Sequence, residues 1–238
     1  MDGKQKTAFR EKAFQEVFEK ANLEDLGFKS KKGIFTRTTG EFIDTISYGS
    51  SSRANSLKET NEMIVRASTE HKSFKQFQNE VLGLTYLNGA IGGEHLENLF
   101  NGPPYVSYDI GISEDQKEIA VTNMIAAIQA QVLPFFELCR DQNQIAAMSH
   151  IPAFLPERLF EYCIFLGKKD LITVILENLI SKAPELKVHL GTFLDNIKKE
   201  GLEKVESEKT WPDHTKTRAK NLAIRLKQLD VVDYCAAI

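Results

Sequence analysis

The chain has 238 residues, 42% of them hydrophobic and 26% charged, the make-up of an ordinary globular protein and not of a disordered or collagen-like one. Thirty basic against 33 acidic side chains leave a formal charge of −3, so no whole-chain excess of positive charge drives binding to nucleic acid, and such a role would need a local patch. That length suits one large domain or two small ones, with a core big enough to fold without disulfides or metal.

The opening Met1-Asp-Gly-Lys-Gln-Lys6 runs into an amphipathic segment and not an uninterrupted apolar core, which argues against a secretory signal. Phe9, Ala13, Phe14, Val17, Phe18 and Ala21 recur at helical spacing among charged residues, predicting a first helix that closes near Leu26-Gly27. Two β-prone runs, Phe28 to Arg37 and Glu41 to Tyr48, flank Thr38-Thr39-Gly40 and predict a β-hairpin. A polar loop at 49–56 leads to a third strand over Asn61 to Thr69, with Met63, Val65 and Ala67 on one parity. From Phe74 to Tyr86 the pattern passes from helical to alternating, a short helix running into a strand. Tyr105 to Ile112 alternates as a strand, and Ser113-Glu-Asp-Gln116 is a capping box that opens a long helix interrupted at Pro134. The apolar stretch Ile119 to Phe136 contains Thr122, Asn123, Gln129, Gln131 and Pro134, and reads as a buried helix in water with no membrane involved. Beyond Ser149 strand patterns stop: Pro156 to Leu166, Lys169 to Lys182, Pro184 to Glu200 and His214 to Asp230 are helical, and Trp211 is expected to seal them. The composite is an α+β fold, a small antiparallel sheet packed on helices (1–148) followed by an all-helical C-terminal part (149–238).

Strong catalytic motifs are missing from this pattern. The five histidines stand alone, and no CxxC or HxxxH offers metal-ligand spacing, so no metal or cofactor is expected. Cys139, Cys163 and Cys235, widely spaced and odd in number, fit small core residues in a reducing cytoplasm better than a disulfide framework. Asn88-Gly-Ala-Ile-Gly-Gly93 could offer backbone donors to a phosphate through Gly89, Gly92 and Gly93, although it lacks the lysine of a Walker loop and the full dinucleotide fingerprint; a plain connection is the competing reading. Glu41, Asp44 and Asp109 could pair for acid–base work, or simply solvate one face of a sheet. Lys29, Lys31, Lys32 and Arg37 make the hairpin basic, as Lys216, Arg218, Lys220, Arg225 and Lys227 do the last helix; each group can meet phosphates or an acidic protein surface, with solvated charge as the default reading.

Gly27, Phe28, Lys29, Phe35 and Arg37, followed by the apolar run Phe42 to Tyr48, form a Gly-Phe-x-Lys and Phe-x-Arg pattern behind an amphipathic helix. In this, and in the strand from Tyr105 followed by Leu133-Pro-Phe-Phe136, the first three fifths of the chain resembles small uncharacterised bacterial α+β domains. Those are similar in outline to immunity factors encoded near bacterial toxins. The resemblance implies a non-enzymatic, protein-binding role with a toxin as partner, and supplies no catalytic residue. Lys29, Lys31, Lys32, Arg37, Tyr48, Tyr105 and Tyr108 are the contact residues this reading expects. The rival reading is an enzyme or a small-molecule or phosphate binder whose site assembles only in three dimensions.

Overall fold

The computed structural model describes residues 3–50, 61–83, 88–100, 107–111 and 113–235. It divides into two compact units: Met1–Gln76, Leu87–Gln142 and Ile151–Ala153 form the first, and Phe77–Tyr86, Asn143–His150 and Phe154–Ile238 the second. The fold is α+β, with an open antiparallel sheet among helices and the later part of the chain helical.

In unit 1, helix α1 (Gly3–Lys20) buries Ala13, Phe14, Val17 and Phe18 at the predicted spacing. It closes earlier than Gly27 implies, and a turn through Asn22, with φ of 52°, carries the chain onward. The predicted first strand is itself a hairpin. β1 (Lys29–Lys31) and β2 (Ile34–Thr39) pair across Lys32-Gly33, whose φ angles of 50° and 71° are those of a two-residue turn matched to the strand twist. A Cβ at Gly33 would also stand 2.7 Å from the Tyr48 ring, so the turn needs a glycine twice over. β3 (Phe42–Ser50), β4 (Glu62–His71) and β5 (Ala90–His95) follow, giving the order β1-β2-β3-β4-β5, and the two-residue β6 (Tyr108–Asp109) also pairs with β4.

Register decides the faces. Phe35 opposite Ile46, Ile46 opposite Ala67 and Met63 opposite Tyr108 place one buried apolar row on the inner side. Phe14 stacks on Phe35 with ring centroids 4.1 Å apart, docking α1 on that row. The short helices α2 (Lys72–Glu80) and α3 (Leu96–Leu99) precede the long helix, in which α4 (Glu114–Ala127), a π-helical stretch (Ile128–Val132) and α5 (Leu133–Arg140) run on without a break. Here the expected interruption is absent. The wider π turns sit just ahead of Pro134, where an α turn would press its ring against the carbonyl four residues back. Ser113 caps this helix, its hydroxyl oxygen accepting from the Gln116 amide at 3.4 Å. By length and composition Glu114–Arg140 could cross a membrane; 39% of its most apolar window is buried inside the protein. Ala120, Val121, Met124, Ile128, Val132, Phe135, Phe136 and Cys139 are its buried apolar side chains, and Lys117 is buried with them.

Unit 2 comprises α6 (Ile145–Met148), α7 (Pro156–Phe165), α8 (Leu171–Lys182), α9 (Glu185–Glu200), α10 (Leu202–Ser207) and α11 (His214–Gln228). Leu186, Leu190, Phe193, Leu194 and Ile197 of α9 and Leu222, Ala223 and Leu226 of α11 are buried at helical spacing. Asp213 caps α11 by accepting from the Lys216 amide at 2.8 Å. Trp211 does not seal this unit: it is 75% exposed, its ring edge-on to His214.

Each unit encloses one carboxylate between arginines. In unit 1 Asp44 is fully buried and accepts from Arg37 Nε and Nη2 at 3.0 and 2.8 Å, from Thr69 Oγ1 at 3.1 Å, and from Arg140 Nη2. In unit 2 Glu161, 2% exposed, accepts from Arg225 Nε at 3.0 Å, from Gln78 Nε2 at 2.5 Å and from Arg158 Nη1 at 3.5 Å. Removing one member of such a cluster strands charge in a low-dielectric interior. Asp44→Ala is expected to lower unfolding stability by about 3–5 kcal/mol in urea titrations, whereas a loss under about 1 kcal/mol would mean that the cluster is not a structural tie.

Candidate functional site

The outer face of the unit 1 sheet is polar because the inner parity takes the core residues. Met63, Val65, Ala67 and Thr69 of β4 point inward, leaving Arg66, Ser68 and Glu70 outward. Ser47 lies opposite Arg66, Thr45 opposite Ser68, and on the other side His95 opposite Arg66 and Gly93 opposite Ser68. Ser47, Arg66, Ser68, Gly92, Gly93, Glu94 and His95, with Ala67 and Ala90, line an open depression of about 450 Å³. Within it Arg66 Nε donates to His95 Nε2 at 2.9 Å. Glu94 Oε1 lies 3.6 Å from the same histidine nitrogen and accepts from the His95 amide at 2.8 Å.

The expected contact residues separate between the faces. Lys29 and Lys31 are exposed on the outer parity, opposite Thr36 and Ile34, on the face that carries Arg66. Lys32 occupies the turn and lines a groove with Ala8, Glu11, Lys12 and Gln15 of α1. Arg37 points inward, its side chain 14% exposed, its guanidinium 4.7 Å from the Phe28 ring centroid and bound to Asp44. Tyr48 also lies on the inner parity, tilted against Phe14 at 4.9 Å, and burial raises the pKa of its hydroxyl. Tyr108, expected at a contact surface, is 8% exposed because its register opposite Met63 places it inside. Tyr105 lies outside the described residues, as do Val106 and Ile112 of the same expected strand and Leu84 and Tyr86 of the earlier one.

Most of the glycine segment is strand and not loop. Gly92 and Gly93 belong to β5, paired with Thr69 and Ser68, and the Gly93 amide donates to the Ala153 carbonyl at 3.0 Å. Gly89, with φ of 80°, turns the chain, and its carbonyl accepts from the His71 amide at 2.9 Å. The helix that follows, α3, spans only four residues. Arg66, Ser47 and Ser68 were absent from the sequence-derived site. Their one signal is parity, because the residues alternating with an apolar row must face the other way.

The acids singled out from sequence do not converge on a cleft. Asp44 is enclosed by arginines; Asp109 accepts from the Asn61 and Gly111 amides at 3.1 and 2.9 Å; Glu41 accepts from the Ser73 hydroxyl at 2.7 Å, which holds its carboxyl below the usual range. Glu70 accepts from Asn88 Nδ2 at 2.9 Å, and burial raises its pKa. Among the described residues no group of three or more His, Cys, Asp or Glu could hold a metal ion. Comparison of the chain with protein-family models, curated proteins and solved structures produced no match.

Two titrations follow from burial. His71, 6% exposed, accepts from the Phe74 amide through Nδ1 at 3.2 Å, and burial lowers its pKa below the ordinary 6.5, with Glu41 acting in the opposite sense. A depressed folded pKa means the unfolded chain takes up the proton first, so the His71 contribution is complete above pH 6.5 and is lost as pH falls through the folded pKa. Urea midpoints are expected to drop from pH 7.5 to pH 5, and His71→Asn, which keeps an acceptor, to flatten that drop. Cys139 is fully buried with its thiol pKa raised by desolvation, and Cys163 is pushed up to about 12 for the same reason. Iodoacetamide at pH 8 should therefore leave both unmodified in native protein and alkylate both in denaturant, as read by peptide mass spectrometry.

Proposed function

We propose that this chain is a non-enzymatic cytoplasmic protein that uses the outer face of its unit 1 sheet to dock another protein. The observation that carries the reading is the contrast between the two faces. The inner side consumes Asp44, Arg37 and Arg140 in a buried cluster, whereas the outer side presents Lys29, Lys31 and Arg66 on an open sheet with hydroxyls between them. Such a face suits an acidic protein surface, since opposite potentials steer encounter and set register. Resemblance of the early block to immunity-like bacterial domains makes a toxin the partner class. Buried, unpaired Cys139 and Cys163 accord with a reducing compartment.

The test is affinity capture from the native host with the intact chain and with the double variant Lys31→Glu, Arg66→Glu. A specific protein should be retained by the wild type, and its affinity for the reversed face should fall by about tenfold or more, more steeply at low salt. Identical capture by both proteins, or capture of nothing, would overturn the assignment.

A further inference from the structure

The depression on this face is more selective than a basic surface. Among the described residues the Arg66 guanidinium meets no carboxylate; its one hydrogen bond, to His95 Nε2 at 2.9 Å, uses Nε and leaves both terminal amino groups uncommitted. The Ser47 and Ser68 hydroxyls make no hydrogen bond among the described residues and line the same depression. Ser47 is the cross-strand partner of Arg66, and Ser68 is two residues from it on β4, so the three donors share one face of the sheet. Space between them depends on Gly93, where a Cβ would fall 2.5 Å from Ser68 Cβ and 2.8 Å from Ser68 Cα. Of the negative groups nearby, Glu70 is held on Asn88, and Glu94, which lines the depression, accepts from the His95 amide with its Oε1 3.6 Å from His95 Nε2.

We propose that this depression binds a phosphomonoester group, with the terminal nitrogens of Arg66 on one or two phosphoryl oxygens and the hydroxyls of Ser47 and Ser68 on the remainder. A tetrahedral dianion with three terminal oxygens matches a planar fork flanked by two separate hydroxyl donors; a carboxylate, planar and with two oxygens, leaves one donor unmatched. Gly93 contributes no donor, its amide being bound to Ala153, but lets the group approach the sheet. His95 acts as a positioning residue: accepting from Nε, it aims the fork outward. The site shares a face with the proposed protein surface but stands independently of it.

The experiment is titration of the intact, isotope-labelled protein by NMR with inorganic phosphate, phenyl phosphate, and a phosphoserine peptide beside its unphosphorylated twin. Saturable shifts are expected at the amides of residues 66–68 and 92–95. Arg66→Met should weaken phosphate binding about tenfold or more, and Ser68→Ala about threefold. Arg218→Met, which removes a charge from α11, should leave it unchanged. His95→Ala should weaken binding, and His95→Gln, whose amide oxygen can still accept from Nε, should restore most of it; a purely structural histidine would show no such rescue. Tighter binding of the phosphopeptide than of phenyl phosphate would identify the source as a modified protein side chain, and the reverse a small phosphate ester; either supports the site. Absence of saturable shifts at these amides, an unchanged affinity in Arg66→Met, or equal binding of the unphosphorylated peptide would overturn it. Phosphate binding needs no protein partner, so this result and the capture experiment can fail separately.

Discussion

Asp44 sits with no exposed surface at the centre of the unit 1 sheet, and three elements reach in to neutralise it: Arg37 from β2, Thr69 from β4 and Arg140 from the end of α5. A carboxylate without those donors would cost several kcal/mol in desolvation, so the hairpin, the central strand and the long helix must arrive together for any of them to be stable there. Arg37 is further confined between aromatic rings, 4.7 Å from the Phe28 centroid and 5.9 Å from that of Phe136, and Arg140 lies 5.7 Å from that of Phe42. Position of the long helix over the sheet is thus set by charge as well as by apolar burial. Lys117 repeats the device near the other end of that helix. Burial opposes its charge, but the hydrogen bonds it donates to Glu114 and Glu16 more than offset this, and its pKa is raised.

Commitment of those charges inside the unit is what gives the outer face its character. With Asp44, Arg37 and Arg140 withdrawn, the groups left for solvent on β1, β3, β4 and β5 include lysines, hydroxyls, the carboxylates of Glu70 and Glu94, one arginine tied to a histidine, and a glycine where a side chain would fill the surface. Basic residues that are neighbours in sequence have opposite fates here. Lys31 and Arg37 both belong to the predicted basic hairpin, yet the first is solvent-facing and the second is a core ion-pair partner. The difference is parity across a two-residue turn, a property of register and not of composition.

How much was legible varies with the range of the interaction that decides it. The helices of unit 2 fall within a few residues of the positions expected from their apolar spacing and from Gly167, Pro184 and Gly201, because helical hydrogen bonds and caps are local. The Ser113 cap is likewise present. Less legible were elements decided by partners distant along the chain. Asn88 to Gly93 reads as a loop by composition but is largely a strand, because β4 supplies a ladder for it. Lys32-Gly33 looks like an interruption in a strand until the register with β3 makes β1 and β2 separate. The site suffers most: Ser47 on β3, Arg66 and Ser68 on β4, and Gly93 and His95 on β5 come from three places in the sequence with no motif between them, and only pairing of those strands assembles them.

By itself the sequence determined the α+β class, the helical second part, the inward row of Met63, Val65 and Ala67, and the burial of α1, since hydrophobic periodicity and capping act over a handful of residues. Tertiary structure alone decided which charges were to be buried, which tyrosines were to be hidden and where an open polar depression would form. Those outcomes depend on strand register and on the cost of leaving a charge unpaired, and both are set by residues as far apart as Asp44 and Arg140.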